Sequence, residues 1–283
     1  MPKNTHMVSL DFGGGIFTRE SDFFAKFDTH IIKTNVRRDG SQSQAVPYLD
    51  VDKNSWHFMG FGAILYRDYL KADKIIFGTI LEARLHAVKK GAQSCGIVNF
   101  PFKNFGLSVM HYVGGLTEVA TALMCEYYGM NIVEDSLTSL ASPGSAKFYR
   151  KQLLIHCARE KLAQKSIRRE WHYPKQPQIF GAYMADDFLI FYIYKKFGIE
   201  IALRLVERIP IEVIQLCDGL SLEFYEKVMP EMLQLSAADD SMAFYKKLEV
   251  CGVLPFNDND WEEYRQVMNI LRTYYPTIST NLI

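Results

Sequence analysis

The sequence is defined first by what it lacks. No run of about 18 or more apolar residues occurs, so no membrane-spanning helix is expected. Met1-Pro2-Lys3-Asn4-Thr5-His6 has no apolar core of the kind a secretory signal carries. The five cysteines, Cys95, Cys125, Cys157, Cys217 and Cys251, are odd in number and far apart, and no CxxC is present. That argues against a disulfide framework and a cysteine-rich zinc site. The expectation is an intracellular, cytoplasmic protein, although export without a classical signal would leave the same pattern. There is also no GxxxxGK[ST] phosphate loop and no Ser/His/Asp order that stands out. Net charge is absent too, with 32 Lys plus Arg against 32 Asp plus Glu. Sequence-independent binding to nucleic acid, which needs a cationic surplus, is therefore not expected.

What is present is an ordinary globular composition over 283 residues, 48% apolar and 23% charged, with 19 Phe and 16 Tyr. Residues 1–73 read as strand and turn. Met7–Phe12, His30–Val36, Val46–Val51 and Trp56–Met59 are strand candidates, and Gly13-Gly14-Gly15 reads best as a hairpin turn. From about residue 74 the period becomes helical through Ile75, Ile76, Ile80, Leu81, Leu85 and Val88. Residues 92–110 read as loop. Helices follow over about 115–128, 146–167, 181–197 and 199–209, then near 211–217, 221–235, 239–250 and 259–272. The expected fold class is α+β: a small N-terminal β-rich part (1–73) packed on a larger α-helical core (74–235), with a C-terminal helical extension (236–283), together forming one compact domain.

Three segments carry side chains suited to chemistry. Glu82 and His86 stand at i and i+4 on the first helix, so both leave one face and could share a divalent metal. Glu118 opens an apolar helix after His111-Tyr112-Val113-Gly114-Gly115. Taken alone, it would favour a helix N-terminus. Asp186 and Asp187 follow Tyr183 on a later helix, but neighbours there point about 100° apart and do not form a dyad. Residues 150–175 are basic, with Arg150, Lys151, Arg159, Lys161, Lys165, Arg168, Arg169 and Lys175 around Trp171, His172 and Tyr173. That is either a solvated helix face or a patch for an acidic partner or RNA.

In order, these segments resemble the thermolysin-like zinc peptidases called gluzincins, over about residues 74–235. Gly115-Leu116-Thr117-Glu118-Val119-Ala120 is similar to the segment that supplies that family's glutamate ligand. Tyr183 through Gly198 and then Ile201–Leu205 is similar to a later helix. Asp218 through Leu233 is similar to the closing segment. The resemblance implies a metal held by Glu82, His86 and Glu118, most naturally zinc, with His111 or Tyr183 assisting. The departure falls on HExxH itself. Glu82-Ala83-Arg84-Leu85-His86 puts Glu82 at the first ligand position and Ala83 where a glutamate should take the proton from zinc-bound water. Shifting one residue places Leu81 and Leu85 at both ligand positions. The expectation is a metallopeptidase-like protein that has lost peptidase activity and acts by binding a protein or peptide. A metal-dependent hydrolase-like enzyme using Glu82, His86 and Glu118 is the alternative, and an unrelated helical interaction protein is a third.

Overall fold

The structure is a computed structural model that describes residues 6–11, 29–33, 55–78, 80–82, 102–130, 144–162, 173–233 and 238–276. The chain divides into two units. One comprises Met1–Ile76 with Cys95–Met110, and the other Phe77–Ser94 with His111–Ile283. The architecture is mixed and mostly helical, with short parallel strand pairs, an α+β plan in the coarse sense.

In the first unit, β1 (Val8–Asp11) pairs with β2 (His30–Lys33) in parallel, Val8 opposite His30. A parallel pair needs a crossover connection, so β1 does not turn back as a hairpin. Gly13–Gly15 and the strand candidate 46–51 lie outside the described residues. The strand expected at 56–59 is instead part of α1 (Ser55–Leu70), which lies against β1. A four-residue apolar run cannot distinguish strand from helix. What decides it is the uninterrupted stretch from Ser55 to Leu70, without proline and too long for a strand. The opposite correction applies just beyond it. Lys74–Ile76 is β3, paired in parallel with β4 (Ser108–Met110) from the stretch expected to be loop. Ile75 and Ile76 satisfy a helical period in the sequence, yet as β-branched residues they suit a pleated strand.

The second unit is built of helices α2 (Glu118–Tyr127), α3 (Ala146–Lys161), α4 (Met184–Phe197), α5 (Ile199–Ala202), α6 (Ile211–Gly219), α7 (Ala238–Val250) and α8 (Asp258–Tyr274). Their ends follow local chemistry. The hydroxyls of Thr117 and Ser145 accept from Ala120 N and Phe148 N at the starts of α2 and α3. Asn257 and Asp260 form a reciprocal capping box on α8. Gly198, at φ 79°, stops α4 in a conformation that glycine adopts without a Cβ penalty.

The unbroken apolar run Phe188–Ile193 is buried on every side of α4, which makes it the central helix, packed by α5, α6 and α8. Around it Phe188, Phe224, Tyr225, Phe256, Trp261 and Tyr264 form one aromatic cluster. Where a helix is expected over 221–235, the described residues 221–233 hold two 3₁₀ turns, Glu223–Glu226 and Pro230–Met232. The helix expected over 199–209 stops at Ala202. Pro230 denies the helix an amide N–H, and the two turns let Tyr225 reach the carbonyl of Phe188 through its hydroxyl. No helix among the described residues is long and apolar enough to cross a membrane.

Candidate functional site

Leu81 anchors the site. Its N–H donates to the carbonyl of Leu116 at 2.9 Å and its side chain is buried, which places Glu82 against the start of α2. There Oε1 of Glu82 accepts the N–H of Glu118 at 2.8 Å. Thr117 supports the same turn from the other side, its hydroxyl donating to the carbonyl of Tyr225. Two amide groups at the head of α2 are thus satisfied by side chains, one local and one from a residue 36 positions earlier.

Glu118 turns its own carboxylate towards α3. Its Oε2 accepts from Nε of Arg150 at 3.2 Å, and its Oε1 is paired with Nζ of Lys151. The guanidinium of Arg150 also reaches Oδ1 of Asp186 in the first turn of α4. Four stretches of chain therefore meet in one polar chain: Glu82 through the Glu118 N–H, then the ion pairs of Glu118, Arg150 with Lys151, and Asp186. Most of it is shielded from water, with Glu82 2%, Glu118 8% and Arg150 5% exposed.

Burial, and then the neighbouring charge of Glu118, push the Glu82 carboxyl up to about 8. Burial would also raise Glu118, but Lys151 and Arg150 outweigh it and bring that carboxyl down to about 2. Arg150 is held a cation by Glu118 and Asp186 against the opposing effect of burial. The second oxygen of Glu82, Oε2, is buried without a hydrogen-bond partner among the described residues.

The sequence-derived site residues are thus distributed unevenly. Glu82 and Glu118 come together, whereas Ala83 and His86 lie outside the described residues. His111 is buried and stacks on Phe77 with ring centroids 6.2 Å apart, and its carbonyl accepts Gly114 N–H in the turn leading to α2. Tyr183 occupies the N-cap position of α4 and is 53% exposed, its carbonyl accepting from Asp186 N and Asp187 N. Asp187 turns away from Asp186, as the helical spacing requires, and accepts Gly181 N–H at 2.6 Å and the hydroxyl of Tyr275.

The sequence offers Arg150 and Lys151 only as members of the basic stretch 150–175, and Asp186 only as half of an excluded dyad; none of the three is expected beside Glu118. The available signal was the pairing of a basic helix face with acidic residues in the first turns of two other helices. Two further described members of the basic stretch are also paired with acids, Arg159 with Glu126 and Lys161 with Glu226, at 3.0 and 2.6 Å. Lys165, Arg168, Arg169, Trp171 and His172 lie outside the described residues.

A zinc ion requires deprotonated donors with lone pairs to spare. Glu118 has a cation on each carboxylate oxygen, and Glu82 serves an amide with Oε1. Among the described residues, no three His, Cys, Asp or Glu side chains gather as a metal site. This described donor set does not fit a divalent ion.

Comparison with known proteins finds no relative for the chain: no family model matches it, no curated protein matches its sequence, and no solved structure matches its fold. What the geometry defines is a helical unit with a largely buried acid–base cluster linking the starts of α2 and α4 to α3.

Proposed function

We propose that the protein is metallopeptidase-like in its helical unit, has lost peptidase activity, and acts by binding a protein or peptide partner. The observation that carries the reading is the use of Glu82. The residue at the family's first ligand position faces inward and caps the amide of Glu118, a structural task. In the same register the proton-accepting position belongs to Ala83, whose methyl group can take no proton.

A binding role draws support from the surface beside α4. Ile179 and Ile211 are exposed beside Phe180 and Glu212, which hold Tyr274: its ring meets Phe180 edge-on at 5.1 Å and its hydroxyl donates to Glu212 at 2.5 Å, and Tyr183 is exposed three residues beyond Phe180. Large exposed apolar side chains on segments tied to one fixed aromatic residue suit an apolar segment of a partner. The free thiols of Cys125, Cys157, Cys217 and Cys251 suit a reducing, intracellular compartment.

The test is a degenerate peptide library incubated with the full chain and added zinc, read by mass spectrometry. The expected result is no new peptide termini, with a subset of intact peptides retained and then lost in Ile179→Asp/Ile211→Asp. Cleavage that disappears in Glu118→Gln would overturn the reading. A metal-dependent enzyme using Glu82, His86 and Glu118 is the competing reading, and the observation on its side is Oε2 of Glu82, buried without a hydrogen-bond partner among the described residues.

A further inference from the structure

We propose that Arg150 and Lys151 stand where a metal ion would otherwise supply positive charge, so that Glu82 and Glu118 take no divalent cation. The proposal rests on the metallopeptidase-like reading above and concerns the same carboxylates. Three geometric facts argue for it.

The two cations approach Glu118 from one helix on adjacent residues. Side chains about 100° apart on α3 straddle the carboxylate, one on each oxygen. A carboxylate engaged in this way offers an incoming ion only lone pairs already beside a cation.

Arg150 is fixed from both sides. It bridges Glu118 on α2 and Asp186 on α4, so it cannot move aside for an ion without leaving Asp186 unpaired. A planar guanidinium is well suited to this two-sided hold, whereas a metal would have to bring both acids within bonding distance of a single point.

The charges are already balanced, even with Glu82 ionised: Glu82, Glu118 and Asp186 face Arg150, Lys151 and the nearby Lys147. A dication would therefore meet a largely buried group with no negative surplus to neutralise it, which a low-dielectric site resists.

The experiment uses the full chain, expressed in zinc-supplemented medium and purified without chelator. Elemental analysis is expected to find zinc far below one equivalent. The thermal unfolding midpoint is expected to be the same with chelator and with excess zinc. One equivalent of zinc, lost in both Glu118→Gln and His86→Ala, overturns the proposal. The second arm is Lys151→Met, which frees Oε1 of Glu118. It is expected to raise zinc affinity, measured calorimetrically, by about tenfold or more. No gain in a folded variant also overturns the proposal. If Lys151→Met does not fold, Lys151→Gln and the wild-type elemental result decide in the same two directions. Zinc bound without peptide cleavage removes this inference and leaves the proposed function standing. Cleavage without zinc uptake removes the proposed function alone.

Discussion

Nε of Arg150 stands 3.2 Å from Oε2 of Glu118, a buried contact between residues 32 apart in the sequence. Because the same guanidinium also holds Asp186, one side chain joins the starts of α2 and α4 to the second turn of α3. The pair is no evidence of large net stabilisation, since burying charges costs much of what their attraction returns. Removing one member is a different matter, because it leaves a charge without its partner.

Arg150→Met is therefore expected to destabilise the helical unit by about 3 kcal/mol, moderated by Lys151, which still serves Glu118, and by the partial exposure of Asp186. Arg150→Lys keeps the charge but cannot reach both acids with a planar fork, so it should recover only part of the loss. Urea denaturation of the three proteins measures this. An Arg150→Met variant as stable as the wild type would show that the bridge contributes nothing.

Glu82 and Glu118 give opposite pH dependences. The Glu82 carboxyl lies at about 8 in the fold against an ordinary 4.5, so the folded chain binds that proton more tightly than the unfolded chain. Its contribution is complete below pH 4.5 and is lost as the pH rises through about 8. Glu118, brought down to about 2, contributes fully above pH 4.5 and loses that contribution as the pH falls through about 2. By pH 7 the Glu82 effect amounts to a loss on the order of 3 kcal/mol. Glu82→Gln retains an oxygen for Glu118 N–H and removes the ionisation. The variant should match the wild type near pH 4.5 and exceed it increasingly towards pH 8. Thermal midpoints across that range provide the check, and two parallel curves would refute the assignment.

How legible this was in the sequence depends on the range of the interaction. The three long helices from Glu118 to Phe197 were legible because their signals are local: Thr117 and Ser145 as caps, Gly198 as a stop, and the apolar run of α4. The first unit was harder, because Trp56–Met59 and Lys74–Ile76 are short apolar runs whose state depends on partners far along the chain, such as Ser108 opposite Lys74. Glu82 and Glu118 could be nominated as a pair from the resemblance, and they do meet. Their use could not be read, because it depends on Arg150 and Lys151, which in sequence belong to a basic stretch with no mark of which members turn inward.

Gly115 illustrates a second constraint hidden in a readable motif. In the sequence, Gly114-Gly115 precedes a helix and could be taken for a loop that cradles a ligand. In the fold, a Cβ on Gly115 would come 2.2 Å from the carbonyl oxygen of Met229, while the Gly115 carbonyl accepts Met229 N–H at 2.9 Å. The backbones are too close for any side chain. Gly115→Ala should cost about 2 kcal/mol or more and separate the start of α2 from the segment 228–233. Unchanged stability in denaturant titration would mean that the two segments can part freely.

Tyr275 ties the end of the described chain to the surface proposed for binding. Its hydroxyl donates to the buried carboxylate of Asp187, which also accepts Gly181 N–H at 2.6 Å. Gly181, at φ 97°, lies between Ile179 and Tyr183, so Asp187 holds the segment that presents both side chains. Tyr275→Phe removes one donor from a buried charge at nearly constant shape, and the expected loss is about 2 kcal/mol. The segment 178–183 should loosen with it. Retention of library peptides should then fall below that of the wild type at temperatures where the variant remains fully folded by circular dichroism. If stability drops while retention is unchanged, Asp187 serves the core alone and the surface around Tyr274 is not the one that binds.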